Sequence, residues 1–144
     1  MVGVKKVAFK ELGDERGRLV VVESGVDIPF TMKRLFYIYG SDAGIVRGQH
    51  ANRKSEFVLI NLAGSCKVKV LDGKGNEEVF ILNKPHIGIY LPPMYWKNMY
   101  DFSPDSILLV LSSEHYDTNE YIRDFDLYVS EIAAIDEGIS NSDS

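Results

Sequence analysis

The residues of this 144-residue chain that best suit proton chemistry lie in the segment 47–53, Arg-Gly-Gln-His-Ala-Asn-Arg. In an extended strand this segment puts His50 and Asn52 on one face with Gly48, because side chains alternate along a strand. His50 can act as a general base, since an unperturbed imidazole has a pKa of about 6.5. Asn52 can donate a hydrogen bond to an oxyanion or orient a hydroxyl, but it cannot take up a proton. The pattern predicts acid–base chemistry or ligand binding; the alternative is that His50 is a structural histidine.

Arginine and tyrosine residues nearby suit an anionic or hydroxylated ligand. Arg47 offers a planar fork of donors that matches a pyrophosphate or a sugar hydroxyl, and its alternative is a solvated surface residue. Tyr37 is a better proton donor than base, because a phenol has a pKa near 10. Strand periodicity places Tyr37 and Tyr39 on one face and Phe36 and Ile38 on the other. The alternative for Tyr37 is simple packing in the core.

The composition limits the class of protein. The chain has 16 Lys and Arg against 21 Asp and Glu, a formal net charge of −5, which argues against nucleic acid or an anionic membrane as partner. One Cys excludes an intramolecular disulfide and a multi-Cys zinc site. No apolar run approaches the roughly 18 residues of a membrane span. The first residues also lack the apolar stretch of a signal peptide, so a cytoplasmic location is expected.

The elements that must position these residues are mainly strands. Short apolar or alternating runs, separated by Gly, Pro, Asn and Asp, predict about eight to ten strands and hence a β-sandwich or barrel. Apolar residues three and four apart after Asp117 predict a C-terminal helix capped by Thr118. We expect one domain over residues 1–144, with 138–144 as a flexible tail. A closed barrel of this size has an interior that can hold a ligand.

A wider frame around His50 resembles the first motif of the cupin superfamily. Asn52 stands where that motif has its second histidine, and Lys97 stands where the second cupin motif has a metal-binding histidine. Only His50 and Glu56 remain as good metal ligands, because Asn is weak and Lys is normally protonated. The resemblance implies an all-β, cupin-type double-stranded β-helix, or jelly-roll barrel, and we expect no bound metal. The frame consists of Gly44, His50, Asn52, Glu56 and Gly64.

Residues 7–130 are similar to the nucleotide-sugar 3,4-ketoisomerases of that superfamily. This resemblance implies that the keto group of dTDP-4-keto-6-deoxyglucose moves from C4 to C3 by metal-independent proton transfer through an enediolate. The product would serve the synthesis of 3-amino sugars for surface polysaccharide. It also implies a homodimer with exchanged N-terminal strands and no cofactor. The similarity is carried by segments 34–39, 47–52, 61–66, 88–90, 96–102, 116–117 and 120–123.

The resemblance also implies a His-x-His pair that moves the protons, of which this chain keeps only His50. We predict that His50, Tyr37 and Asn52 carry the chemistry. The turn at 14–18 resembles one that lies near the sugar in this family, which adds Arg16 to the candidates. The residues expected to bind substrate are Arg47, Arg34, Arg16, Tyr39, Gln49, Trp96, Lys97 and Asn98.

Two other functions fit the same residues. A 3,5-epimerase of the same nucleotide sugars would also place a histidine after Arg-Gly, although such enzymes usually pair it with a carboxylate and are longer. A non-catalytic cupin that binds a nucleotide sugar would fit the replacement of the second histidine by Asn52.

Overall fold

Two five-stranded antiparallel sheets and a separate two-stranded hairpin make up the fold in the computed structural model, which describes residues 1–142 with side chains through residue 138. The strands are β1 (Lys5–Ala8), β2 (Glu11–Asp14), β3 (Gly17–Val20), β4 (Arg34–Tyr39), β5 (Arg47–Asn52), β6 (Phe57–Ala63), β7 (Cys66–Leu71), β8 (Glu77–Leu82), β9 (Ile87–Leu91), β10 (Trp96–Tyr100), β11 (Ile107–Ser112) and β12 (Tyr121–Ile122). The first sheet has the order β1–β9–β6–β11–β4 and the second the order β12–β5–β10–β7–β8.

The main core lies between the two sheets. Phe57 and Leu59 of β6 pack in one buried cluster with Cys66, Val68 and Val70 of β7. Period-two alternation puts these β7 side chains on one face, as the sequence predicts. The predicted all-β jelly-roll architecture is therefore confirmed.

The N-terminal segment covers part of the outer face of the first sheet. Val58 and Ile60 of β6 point away from the main core and pack against Phe9, Ile28 and Phe30. Both faces of β6 are consequently buried, which explains its nearly continuous apolar sequence.

Apolar side chains remain exposed on β4 and on the hairpin formed by β2 and β3. Leu35, Tyr37 and Tyr39 project from the outer side of β4 and are 48%, 59% and 71% exposed. Leu12 and Leu19 face each other across the hairpin and are also exposed. We call the first group the β4 outer face.

The predicted C-terminal helix begins at Phe125 rather than at Thr118. A short 3₁₀ helix, Thr118–Glu120, comes first, and β12 then pairs with β5 through Tyr121 and Asn52. Strand pairing therefore overrides the helical spacing of this segment. Asp124 accepts a hydrogen bond from the Leu127 amide at 2.9 Å, so it provides the N-terminal cap that the spacing predicts at Thr118.

The helix α1 (Phe125–Ser142) packs on the outer face of the second sheet. Its Tyr128 is buried beside Trp96, and the Tyr128 hydroxyl donates to the carbonyl oxygens of Leu71 and Met94 at 3.0 and 2.8 Å. The predicted tail at 138–144 overlaps this helix up to residue 142, and residues 143–144 lie outside the described part. Residues 1–142 contain no helix with the length and apolar character that a membrane span requires.

Candidate active site

A cavity of about 210 Å³ opens between the sheets, on the side where β12 extends the second sheet next to β5. Its floor is apolar and its walls carry cationic and aromatic side chains. Pockets that enclose a whole drug-sized ligand occupy about 300–1,000 Å³, so this cavity suits a single sugar ring. The lining residues are Phe36, Ile38, Arg47, Gly48, His50, Phe57, Leu59, Lys97, Met99, Val110, Tyr116, Tyr121 and Arg123.

A bulge in β5 aims the polar segment at the cavity. His50 pairs with Lys97 of β10 and Gly48 pairs with Asn98, so Gln49 is the extra residue. Gly48 and Gln49 have φ angles of +83° and +54°, in the left-handed region. The bulge breaks the alternation that predicts opposite faces for Arg47 and Gly48, and both line the cavity. A Cβ at Gly48 would stand 2.9 Å from the Lys97 carbonyl oxygen, which explains the glycine.

His50 is held as a neutral imidazole. Burial lowers its pKa to about 4, and the positive charge of Lys97 acts in the same direction; the Gly48 carbonyl partly opposes them. Its ring lies 4.8 Å from that of Tyr121. The buried Nδ1 makes no hydrogen bond of ordinary geometry with the described residues. An uncharged imidazole can accept a proton at neutral pH, as a general base must.

Lys97 reaches the same cavity with its charge almost out of water. The residue is 4% exposed, and its Nζ lies 4.5 Å from the centre of the Phe57 ring. Its Nζ donates to Asn52 Oδ1 at 3.1 Å. Burial lowers the Lys97 pKa to about 7, with the carboxylate of Glu120 opposing and the charge of Arg34 assisting that shift.

Glu120 supplies the negative charge behind this pair. The residue is 3% exposed and accepts hydrogen bonds from the backbone amides of Lys54 and Ser55, at 3.1 and 2.9 Å, and from the Ser55 hydroxyl. Burial opposes its ionisation, but these hydrogen bonds keep the pKa of Glu120 below its usual range. The charge of Glu120 thus acts on Lys97, and both charges act on His50.

Three arginines surround the cavity. Arg47 and Arg123 line it, and the Arg123 guanidinium lies 4.9 Å from the Tyr121 ring centre. Arg34 lies behind the wall and donates to the Tyr121 hydroxyl at 3.1 Å. Because that oxygen accepts from Arg34, the Tyr121 proton is free to be donated to a ligand. The cavity is thus locally cationic in an acidic protein, which favours an anionic ligand.

Several predicted site residues lie away from this cavity. Tyr37 and Tyr39 belong to the β4 outer face, while Phe36 and Ile38 point inward. The predicted parity of β4 is therefore correct, and it places Tyr37 outside this cavity. This cavity gives no support to Tyr37 as a proton donor or to Tyr39 as a ligand contact.

Five further predicted site residues also lie outside the cavity lining. Trp96 is buried and packs edge-on against Phe125 at 5.1 Å, so it belongs to the helix–sheet interface. Asn98 and Gln49 are outside the lining set. Arg16 lies at the exposed tip of the hairpin, in an ion pair with Asp14. Asn52 is buried one layer behind the lining residues, against Lys97.

The residues that close the cavity are not among the site residues predicted from the sequence. Tyr116, Tyr121 and Arg123 line it, and Glu120 charges its rear wall. Glu120, Tyr121 and Arg123 lie in the segment whose spacing predicts a helix, and Tyr116 comes just before it. Residues 121 and 123 share one face in an extended segment, and this period-two pattern could have indicated them.

No group of three or more His, Cys, Asp or Glu side chains with metal-binding geometry occurs among the described residues. The side chains around the cavity comprise one neutral base, one buried amine and several fixed cations. This set suits a substrate with acidic oxygens.

The fold and this cavity define a jelly-roll protein of the cupin class. The model of the family described as FdtA, WxcM-like, C-terminal, matches residues 2–133, and the chain belongs to this family. A relative from Aneurinibacillus thermoaerophilus, TDP-4-oxo-6-deoxy-alpha-D-glucose-3,4-oxoisomerase, is 42% identical over 131 residues, which cover 91% of this chain and 94% of the relative.

Solved structures of ketoisomerases share the fold. The sugar 3,4-ketoisomerase QdtA from Thermoanaerobacterium thermosaccharolyticum in complex with TDP is 40% identical, with a TM-score of 0.90 and coverage of 93% of this chain and 98% of QdtA. A histidine-to-asparagine mutant of QdtA in complex with TDP-4-keto-6-deoxyglucose is 39% identical, with a TM-score of 0.89 and coverage of 92% and 95%.

Proposed function

We propose that this chain is a nucleotide-sugar 3,4-ketoisomerase that converts dTDP-4-keto-6-deoxyglucose into the 3-keto isomer, as a single cupin domain. The observation that carries this proposal is a neutral, half-buried His50 beside a buried Lys97 in a cavity of sugar-ring size. Membership in a family whose relatives are 3,4-ketoisomerases at about 40% identity supports it.

The reaction begins with removal of a proton from carbon. The C4 ketone makes the C3 hydrogen acidic, and a neutral base on one face of the ring must take it. His50 fills this role, because its imidazole is uncharged at neutral pH. The same imidazole, now protonated, can deliver the proton to C4 if both carbons lie within reach.

The enediolate formed by this step places negative charge on oxygen, and fixed donors must meet it. Lys97 and the Tyr121 hydroxyl, both in the cavity wall, are suitable donors. Their positions are set by Asn52 and Arg34, respectively, so they need little reorganisation as charge develops. Tyr121 thereby takes the donor role that the sequence-based prediction assigned to Tyr37.

The nucleotide part must lie at the mouth, because the cavity is too small for the whole ligand. Arg47 and Arg123 offer guanidinium forks for the two phosphates, and Tyr116 offers an aromatic face. Arg47 is thus retained from the sequence prediction as a substrate-binding residue.

We also propose a cytoplasmic homodimer that contributes 3-keto sugars to surface polysaccharide synthesis without a cofactor or nucleic acid. The β4 outer face and the exposed leucines of the hairpin, Leu12 and Leu19, support self-association, since exposed apolar groups of this kind mark interfaces. Sedimentation analysis of wild type and a Leu35→Glu variant tests the dimer: the variant is expected to dissociate, and an equally dimeric variant would contradict this interface.

The function is tested by incubating the protein with dTDP-4-keto-6-deoxyglucose in D₂O and following proton NMR signals. We expect loss of the C3–H signal and formation of the 3-keto isomer, with deuterium at C4 wherever the His50 imidazolium exchanges its proton with D₂O before delivering it. His50→Gln should lose activity by about 10²- to 10⁴-fold, the usual contribution of a general base. His115→Gln, which removes an exposed histidine, is the matched control.

Two other results would refute the proposal in favour of the alternatives. Exchange at both C3 and C5 without carbonyl migration would identify a 3,5-epimerase. Binding of dTDP without exchange at any carbon would identify a non-catalytic sugar-nucleotide binder.

A further inference from the structure

We infer that Lys97 is the second proton-handling residue of this site, carrying a proton between the C4 and C3 oxygens while His50 carries one between the carbons. The inference rests on the proposed function and deepens it. Asn52 stands where the resemblance implies a second histidine, and it cannot accept or release a proton near neutral pH. Because the isomerisation protonates the C4 oxygen and deprotonates the C3 hydroxyl, a group other than Asn52 must carry that proton.

Lys97 lies close enough to His50 for both side chains to act on the same sugar ring. It pairs directly with His50 across β10 and β5, so the two side chains project to the same side of the sheet as close neighbours. Both line the cavity. His50 can thus transfer protons at the carbons of one sugar ring while Lys97, on the adjacent strand, transfers protons at its oxygens.

Asn52 acts on Lys97 as a positioning residue. Its Oδ1 accepts a hydrogen bond from Nζ at 3.1 Å, which leaves the other two donors of an ammonium for a ligand. Phe57 closes another side, with its ring centre 4.5 Å from Nζ. The amine is therefore held by one amide and one ring, without a direct carboxylate partner among the described residues.

The proton transfers balance with these two residues alone. In the first step neutral His50 takes the C3 proton, the electron pair forms a C3–C4 double bond, and the Lys97 ammonium protonates the C4 oxygen. In the second step the Lys97 amine takes the proton of the C3 hydroxyl, the C3 carbonyl forms, and the His50 imidazolium protonates C4. Both residues return to their starting states, and no oxidant or reductant is consumed.

The Lys97 side chain can alternate between ammonium and neutral amine because of its surroundings. Lys97 is buried, and its pKa of about 7 reflects burial, which the charge of Glu120 opposes and that of Arg34 assists. The other titratable groups that line the cavity are His50 and Arg47 of β5, Tyr121 of β12, and Tyr116 and Arg123 on either side of it. An arginine at position 97 would supply charge but could not release a proton.

The experiment compares Lys97→Ala, Lys97→Gln and Lys97→Arg, with Lys69→Ala on neighbouring β7, outside the cavity, as the control. Wild-type isomerisation and dTDP affinity are measured first. We expect each Lys97 variant to bind dTDP but to lose about 10²- to 10⁴-fold in kcat. Added methylamine should restore Lys97→Ala at least tenfold, with greater rescue as the free amine concentration rises, whereas tetramethylammonium should not.

The outcomes separate this inference from the proposed function. If wild type does not isomerise the substrate, the proposed function fails. If wild type is active, then full activity in Lys97→Arg would show that charge alone suffices, and the inference is overturned. It is also overturned if Lys97→Gln keeps wild-type kcat, or if methylamine gives no rescue of a Lys97→Ala variant that still binds dTDP.

Discussion

The neutral state of His50 should appear as a pH-dependent loss of stability that vanishes in His50→Gln. Its pKa is about 4 in the folded protein, against 6.5 in the unfolded chain. Between these values the unfolded chain binds more protons, so the free energy of unfolding falls as the pH falls through this window. Linkage over these two pKa values gives a loss of about 2 kcal/mol between pH 7 and pH 5. Below both pKa values, where His50 is fully protonated, the free energy of unfolding would be lower by about 3 kcal/mol.

Urea unfolding of wild type and His50→Gln at pH 7, 6 and 5, at one protein concentration, measures this difference. The variant should lose about 2 kcal/mol less than wild type between pH 7 and pH 5. His115→Gln should follow the wild-type curve, because that side chain is exposed. Parallel curves for wild type and His50→Gln would refute the assignment of a neutral, desolvated imidazole, and with it the choice of His50 as base.

Four other expectations follow. Gly48→Ala should destabilise the fold by about 2 kcal/mol in urea unfolding, because a side chain there combines positive φ with contact at the Lys97 carbonyl; an unchanged midpoint would contradict the bulge. Tyr37→Phe should keep kcat/KM within about twofold, since its hydroxyl lies outside the cavity; a large loss would return Tyr37 to the chemistry. Glu120→Gln should cost about 3 kcal/mol of stability and lower the pKa of Lys97, moving the pH profile of kcat to lower pH; an unshifted profile would contradict the coupling. If one base serves C3 and C4 from one face, the product has an axial C4 hydroxyl and a small H4–H5 NMR coupling, whereas a large coupling would require delivery from the opposite face.

The sequence predicts the architecture well because the strands follow simple alternation. In β7, Cys66, Val68 and Val70 fill one face, and in β4 the parity of Phe36 and Ile38 is correct. Alternation is a local property, so it survives in the folded chain wherever a strand has one buried face.

The candidate site is less completely predicted because it depends on distant contacts and on one irregularity. The bulge at Gln49 turns Arg47 into the cavity, and no local pattern indicates it. Residues 121–122 have helical spacing but pair with β5 instead, which brings Tyr121 against His50. Spacing does not predict the burial of Lys97, which results from packing between the two sheets.

A crystal structure of the inactive His50→Asn variant with dTDP-4-keto-6-deoxyglucose tests the central claim most directly. The sugar ring should occupy the cavity between residue 50, Lys97 and Tyr121. Its C3 and C4 atoms should lie within about 4 Å of the position that the His50 imidazole occupies in the wild-type chain, as proton transfer requires. The pyrophosphate should lie at Arg47 and Arg123. A sugar bound elsewhere, for example in the groove beside Asp72 and Ile135, would contradict the account.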